Sequence, residues 1–445
     1  MPSSTSTNGT ARKPFKVLVV GGSYAGLSAS LNLLDLCHGK PPRFLPDTPA
    51  PTEKIPVEIT VVDERDGFLH LISTPLAHAS DEYAPKAWTK FDDVPALKAP
   101  GVRHLHGRVV SVDCAKKTAV VAKATASSPH EAPVEEAYDF LIVGSGLRRA
   151  WPVVPQSLDK ASYLAEVGAH IQRIKDAKEG IVVIGGGAVG VEMAAELKLV
   201  HPTQKVTLIH SRDKLLSSEP LPDDFRDRAL AVLREAGVET VLGRRVLDTA
   251  PVDGGASHFK LTLSDGSSLI AGQVVNAISK SVPTSSFLPK AILDDEGYVK
   301  IQASLRFPDT VPNASHHYAA GDIVRWSGIK RCGAAMHMGQ YVAQNVHAQM
   351  LMDSTATSGV GATHAADEPP KIGANGSSSS SSPWKELGEI PPMIGLAVAT
   401  KAVVYDPQEG TSDGEHLLES YFGRDLGRQI CWNYMGLGRE FVAAA

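Results

Sequence analysis

The run Ile181-Val182-Val183-Ile184-Gly185-Gly186-Gly187-Ala188-Val189-Gly190-Val191-Glu192 constrains this chain more than any other stretch. Its four β-branched residues predict a short buried strand, and the residues from Glu192 to Lys198 predict a helix. Between them, Gly185, Gly187 and Gly190 fit G-x-G-x-x-G. Each glycine has a mechanical reason. Gly185 permits the tight turn out of the strand, and Gly187 lets a pyrophosphate approach the backbone. Gly190 lets the helix pack close to the strand, with its N-terminal N–H groups aimed at the phosphate. Glycine-rich turns are common, but here strand, glycines and helix come in the required order.

A second, similar unit opens the chain. Phe15 to Val20 reads as a strand, Gly21-Gly22-Ser23-Tyr24-Ala25-Gly26 as the turn, and Leu27 to Leu36 as the helix. Ser23 stands where the second fingerprint glycine belongs and is small enough for a close phosphate. The next strand, Val57 to Val62, ends in Asp63-Glu64-Arg65, and a carboxylate there can accept from a ribose. The intervening Gly39 to Pro56 is Pro-rich and reads as a surface loop.

At 445 residues the length favours two to three domains with ample core. A formal charge of −5 gives no basic field for nucleic acid. No apolar run is long enough to span a bilayer. Met1 to Pro14 reads as a disordered tail, without the apolar region of a secretory signal. It is short and poor in arginine for a transit peptide, and Pro2 excludes N-myristoylation. Cys37, Cys114, Cys332 and Cys431 are scattered, with no C-x-x-C. They predict neither a metal site nor an adjacent redox dithiol, and read as packed thiols in a reducing compartment.

Further along, Pro75 is expected to force Thr74 into an extended conformation, so that Gly67 to Leu76 either lays its backbone flat against a ring or is an ordinary loop. Residues 105 to 123 alternate as a β-meander, with a polar hairpin tip from Ser127 to Glu136. Tyr138 to Val143 is a buried strand entering the small-residue turn Gly144-Ser145-Gly146. Leu164, Val167, Ile171 and Ile174 mark an amphipathic helix, and Asp223 to Ala236 marks another. The strand Lys205 to Ile209 ends at His210-Ser211-Arg212, about 20 residues after Gly190. An acid there would bind an adenosine 2′-OH, whereas His210 and Arg212 offer neutral or positive donors. The unit should therefore accept NADPH, and NADH as well, unless Arg212 is only a solvated charge. His317 to Asp322 is a strand running into Gly321-Asp322, where Asp322 either holds a ribityl or phosphate group or caps the helix from Ala334 to Met350. Met352 to Trp384 is low-complexity, with serines at Ser377 to Ser382, and reads as a disordered linker.

These pieces together resemble the two-dinucleotide-binding-domain flavoproteins. The carriers are G-G-S-Y-A-G with Asp63, Tyr138-Asp139 through Gly144-Ser145-Gly146, Gly185 to Glu192, Ala277-Ile278-Ser279, and Ala320-Gly321-Asp322. Departures at Ser23, Gly144, Ser145 and Ser279 mark a divergent member. Phe68-x-His70, Thr74-Pro75-Leu76 and Thr207 to Ser211 resemble the AIF-like group, which includes ferroptosis-suppressor proteins and is related to type II NADH dehydrogenases.

The resemblance implies an α/β fold with two Rossmann-like domains. The FAD domain spans 15–150 and 280–351 and is interrupted by an NAD(P) domain at 151–279. A linker at 352–388 leads to a small C-terminal α+β unit at 389–445. It implies FAD, and NADPH or NADH, with hydride passing from nicotinamide C4 to flavin N5 and electrons leaving to a quinone-like acceptor or oxygen. Expected FAD contacts are Gly21, Gly22, Ser23, Gly26, Asp63, Arg65, Thr74, Pro75, Gly146, Gly321, Asp322 and, on the helix capping the flavin, His337. Glu192 would lie near the nicotinamide, in a chemical or a helix-positioning role. The C-terminal unit would wall the far side of the flavin. Its Tyr405, Phe422, Trp432 and Tyr434 suit either a flat acceptor or the core of a small domain.

Without a cysteine pair near either glycine motif, a dithiol relay is not expected. Competing readings are a redox signalling protein and a ferredoxin-reductase-like partner of an iron–sulfur protein, which would need a basic docking face. A Baeyer–Villiger signature is absent. A cytoplasmic location is the default, with mitochondrial association brought in by the resemblance. Peripheral membrane contact and oligomeric state are left open.

Overall fold

The computed structural model describes residues 12–123, 132–252, 258–357 and 384–442. The larger sheet has seven strands in the order β14-β6-β1-β2-β3-β4-β5. These are β1 (Phe15–Val20), β2 (Val57–Asp63), β3 (Val102–Asp113), β4 (Thr118–Lys123), β5 (Val134–Ala137), β6 (Phe140–Val143) and β14 (His317–Ala319). From β14 to β3 every pairing is parallel, and β3, β4 and β5 then form an antiparallel meander. Val17, Leu18, Val19 and Phe140 to Val143 are buried on both faces, as a parallel sheet covered on each side requires. The expected hairpin tip Ser127 to Glu136 lies outside the described residues up to 131. Beyond that it is partly strand, because β5 already pairs with β4 from Val134.

Helix α1 (Tyr24–Cys37) is buried along its whole length, between this sheet and the later helix α6. Its polar residues are therefore satisfied internally. Ser28 Oγ donates to Met336 O (2.7 Å), Asn32 Nδ2 donates to Ser28 O (2.8 Å), and Asp35 pairs with Arg43 at 2.9 Å. The one-turn helix α2 (Thr74–Ala77) replaces the extended segment expected around Pro75. Thr74 has helical dihedrals (φ −51°, ψ −42°). Proline disfavours that conformation in its predecessor but fits the first turn of a helix, where its missing N–H has no partner to lose. Packing of α2 against the later helix α4 decides between the two.

The second sheet has the order β9-β8-β7-β13 and is parallel throughout. It comprises β7 (Ile181–Ile184), β8 (Val206–Ile209), β9 (Glu239–Val241) and β13 (Gln273–Asn276). Helices α3 (Lys160–Asp176), α4 (Ala188–Val200) and α5 (Asp223–Glu235) accompany it. A three-stranded antiparallel layer is inserted before β13, made of β10 (Val246–Pro251), β11 (Phe259–Leu263) and β12 (Ser268–Ala271). The chain then returns through β14 to the first sheet, so that sheet is built from segments on either side of the second.

Helix α6 (Cys332–Thr357) runs through Met352 to Thr357, six residues that the sequence reads as linker. Ser354 is buried there, and later Lys385 and Leu387 pack back, with Asn345 bonding Lys385 through both N–H and C=O. The serines Ser377 to Ser382 lie outside the described residues. A final unit comprises β15 (Ile394–Val398), β16 (Lys401–Asp406), β17 (Gly410–Gly414), α7 (Glu415–Tyr421) and α8 (Arg428–Tyr434).

Helix α6 packs tightly on α1 at Gly339. A Cβ there would lie 2.4 Å from the Ala25 carbonyl and 2.9 Å from the Ser28 side chain. Gly339→Ala should therefore destabilise the fold by about 1–3 kcal/mol, read as a lowered denaturation midpoint with an unchanged slope.

Candidate functional site

Both glycine turns have the same construction. In the first, Gly21 (φ +107°) donates its N–H to Val62 O at 2.8 Å, and Gly22 N–H donates to Asp63 Oδ2 at 2.7 Å. Gly26 sits against the turn so tightly that a Cβ would fall 1.8 Å from the Gly21 carbonyl. In the second, Gly185 (φ +116°) donates to Ile209 O at 2.9 Å, and Gly186 N–H donates to His210 Nδ1 at 3.1 Å. A Cβ on Gly190 would fall 1.9 Å from the Gly185 carbonyl. Gly187, at the N-cap of α4, would meet nothing within 4 Å and leaves open space before the helix N-terminus.

His210 thus does for the second turn what Asp63 does for the first. As an acceptor at Nδ1 it must be neutral, with the Nε2 proton directed to Ser217 Oγ at 3.2 Å. Burial and the Arg212 guanidinium push its pKa down, which keeps it so. Arg212 in turn donates to Ser217 O at 3.0 Å. The histidine expected to read a nucleotide phosphate instead closes the turn, and Arg212 remains as the exposed cation at the strand end.

Two adjoining cavities open at the first turn. One, of about 490 Å³, is lined by Gly21, Asp63, Glu64, Arg65, Ser145 and Arg148 among others. The other, of about 180 Å³, runs from Gly22, Ser23 and Tyr24 past Gly146 to Gly321, Asp322, Lys330 and Cys332. The cavity walls are suited to FAD on several counts. Ser23 Oγ and Arg65 Nε are buried without a hydrogen-bond partner among the described residues. Gly146 (φ +70°) presents open space, and a Cβ on Gly21 would strike the Gly144 carbonyl at 2.5 Å. Arg148, Arg149, Lys330 and Arg331 line the two cavities. These four cations were missed in the sequence, although two dibasic pairs flank the turn after Gly146 and the start of α6. Asp322, its pKa raised by burial, faces Lys330 and Arg149. Asp63, likewise raised by burial, has one oxygen on Gly22 N–H and the other on Arg65 N–H at 2.8 Å.

Four expected contacts do not line these cavities, and one of them is Gly26, which packs behind the turn on the Gly21 carbonyl. Thr74 and Pro75 lie behind the wall, which Leu69, Leu71 and Ile72 form instead, because the chain has already turned into α2. His337 packs on Tyr341, with ring centroids 4.4 Å apart, since the helix turns it off the cavity face that Ala335 occupies.

The C-terminal unit touches both sheets' domains. Glu192 Oε1 accepts from Ala397 N–H of β15 at 3.3 Å. Arg228 of α5 grips Asp413 with two N–H groups. On the other side, His70 Nε2 donates to Leu426 O (2.9 Å) and its Nδ1 accepts from Tyr24 OH (3.0 Å), a fixed neutral tautomer held near a pKa of about 4 by burial. The four C-terminal aromatics do not form one cage. Tyr405 packs towards Phe225, Phe422 sits in the unit's own core, Trp432 lies under Arg428, and Tyr434 lies against Phe44.

Two Rossmann-like sheets with paired glycine turns, and a cationic cavity at the first of them, define a flavoprotein that works with a nicotinamide nucleotide. The chain belongs to the pyridine nucleotide-disulphide oxidoreductase family, whose profile matches residues 15–339. It is 49% identical to the oxidoreductase OXR1 of Ajellomyces capsulatus over 98% of this chain and 91% of that protein. It is 26% identical to ferroptosis suppressor protein 1 of Mus musculus, over 69% of this chain and 73% of that protein. A NAD-dependent persulfide reductase from A. fulgidus shares the fold, with a TM-score of 0.60 at 19% identity, and this chain, 88% covered, spans 64% of its length. FAD and NAD(P)H are its cofactors, and it is a flavin-dependent oxidoreductase. Among the described residues no group of side chains could hold a metal, and no helix is long and apolar enough to cross a membrane.

Burial pushes the Glu192 carboxyl from its ordinary 4.5 up to about 8, so the folded protein holds it protonated at neutral pH. The stability this lends is full below about pH 4.5 and is lost as pH rises through about 8. Glu192→Gln should therefore raise the melting temperature at pH 9 by about 2 °C or more and leave it unchanged at pH 4.5, by calorimetry at both. Gly190→Ala should keep bound flavin but lose its reduction by NAD(P)H, followed as bleaching at about 450 nm.

Proposed function

We propose that this protein is an NAD(P)H:quinone-like acceptor oxidoreductase, with the acceptor seated between the two domains and the C-terminal unit. The observation that carries the reading is a cavity of about 500 Å³ lined by Leu76, Leu199, Leu418 and Leu426, with Glu196 in its wall. The leucines together with Glu196, the one buried charged group of the lining, suit a flat, weakly polar ring, and the exposed Thr400, Glu415, Glu419 and Arg424 complete the wall. Glu196 is 2% exposed, and burial raises its pKa to about 7. Reduction of a quinone to a quinol takes two electrons and two protons, and a carboxylic acid poised near neutrality is a fitting proton donor.

The residues then divide the work. Gly21, Gly22, Ser23, Asp63, Arg65, Gly146, Gly321 and Asp322 hold FAD, Gly26 shapes the turn behind them, and Arg149, Lys330 and Arg331 balance the negative charge. Gly185, Gly187 and Gly190 bring the nicotinamide nucleotide's phosphates to the N-terminus of α4, and Arg212 is placed to meet a 2′-phosphate. FAD, when bound, accepts hydride from the reduced nicotinamide and yields two electrons to an acceptor. Glu192 positions α4 against β15 and, being uncharged, adds no repulsion to an incoming nucleotide. Glu196, one turn further along α4, holds the proton on the acceptor side.

Anaerobic stopped-flow with NADPH and NADH separates entry of hydride from its exit to a short-chain quinone. Glu196→Gln should leave flavin reduction by nucleotide unchanged and slow quinone turnover about tenfold or more. Wild-type quinone turnover should fall as pH rises through about 7, where Glu196 gives up its proton, and the variant should lose that inflection. Turnover on oxygen alone, indifferent to quinone and to this substitution, would overturn the acceptor assignment.

A further inference from the structure

The fold brings two cysteines from distant parts of the chain together at the cofactor cavity. Cys332 is the first residue of α6, and Cys431 lies in α8 of the C-terminal unit. Their sulfurs are 4.0 Å apart. Cys332 is partly exposed and lines the cavity that also contains Tyr24, Asp322 and Arg331. Cys431 is 4% exposed and packs behind it. The other two thiols have no such partner. Cys37 is buried beside the Met350 thioether at 3.9 Å, and Cys114 is buried at the end of β3.

We propose that Cys332 and Cys431 are a redox-active pair, oxidised by a hydroperoxide to a reversible disulfide that ties the C-terminal unit to α6 over the cofactor cavity. The geometry separates their roles. Cys332 sits at a helix N-terminus, beside Arg331 and the Gly333 N–H, and receives the Cys431 S–H. Each of these favours its thiolate and makes it the nucleophile. Burial and the neighbouring Cys332 push the Cys431 thiol up, so it keeps its proton as the resolving partner. Asp322 and burial oppose the Cys332 thiolate without reversing the direction. Cys37 and Cys114, raised to about 12 and about 11 by burial, are inert by comparison.

The chemistry balances in two steps. The Cys332 thiolate attacks the peroxide oxygen, an S–O bond forms and the O–O bond breaks. The leaving alkoxide or hydroxide takes one proton and departs as alcohol or water. The Cys431 sulfur then attacks the Cys332 sulfur, the S–S bond forms, the S–O bond breaks, and hydroxide leaves with the Cys431 proton as water. Two thiols lose two electrons together and one peroxide gains them. A dithiol reductant restores both thiols by exchange. A bond of about 2 Å requires the two sulfurs to approach by a further ~2 Å, within reach of small shifts of α8. The proposal does not depend on what the electron acceptor is.

The test is a thiol map of the full-length, flavin-loaded protein treated with one equivalent of hydrogen peroxide at pH 7. Blocking, denaturation and non-reducing digestion should show the four free thiols of the sequence falling to two. One cross-linked peptide should join residues 332 and 431, and dithiothreitol should restore all four thiols. Cys431→Ser should stop the reaction at a sulfenic acid on Cys332, captured as a dimedone adduct, and Cys332→Ser should leave Cys431 reduced. Four thiols surviving the treatment, oxidation falling equally on Cys37 and Cys114, or cross-links only between molecules would each overturn the proposal. The wild-type map decides the matter even if a variant fails to fold.

Discussion

The structure depends first on two places where a helix is drawn against the carbonyl of its own preceding turn. Gly26 and Gly190 stand where a Cβ would overlap the Gly21 and Gly185 carbonyls, at 1.8 and 1.9 Å. That contact fixes the angle at which α1 leaves β1 and α4 leaves β7. It leaves the first N–H groups of each helix pointing away from protein, at the end of a parallel sheet, where they favour an anion. Everything else that holds a dinucleotide is arranged around those two turns. The same closeness lets α1 disappear completely between the sheet and α6, with its serines and asparagine bonded to helix carbonyls instead of water.

A second regularity is the acceptor at the end of the neighbouring strand. Asp63 and His210 each take the N–H of the middle glycine of their turn, yet one is an acid and the other a neutral imidazole. The turn needs only a lone pair at that point. The remaining capacity of the group is what differs. Asp63 keeps lone pairs to spare that suit hydroxyl donors, while His210 is committed through both nitrogens and leaves Arg212 exposed beside it. At the end of β8 it is therefore Arg212, and not the histidine, that stays exposed.

The C-terminal unit joins the two domains across the cofactor region. It meets α4 through Glu192 and Ala397, α5 through Arg228 and Asp413, the segment before α2 through His70 and Leu426, and α6 through the two cysteines. Burial keeps Glu192 and His70 uncharged at neutral pH at these contacts, and it poises Glu196, one turn along α4, to titrate at about 7. Apart from the Arg228–Asp413 ion pair and the sulfur pair, these contacts join uncharged groups, and a leucine-lined cavity with Glu196 in its wall lies where α2, α4 and the C-terminal unit meet. Its aromatic residues were a poor guide to this, because each serves a different local core.

What the sequence determined by itself is whatever depends on neighbours along the chain. The two strand–glycine–helix units, the strands at 57–63, 140–143 and 206–209, and the buried helix α1 follow from periodicity, β-branching and glycine spacing. Local steric rules carry those features, and they were legible to within a few residues. Only the tertiary structure decided the rest. Packing on α4 made Thr74 helical against the local bias of Pro75. The rotation of α6 turned His337 off the cavity and left Cys332 on it. Residues 99 apart became a sulfur pair, and the acid on α4 found its partner 205 residues later. Such contacts are set by how elements stack and turn about their axes, and spacing along a single chain carries no record of that.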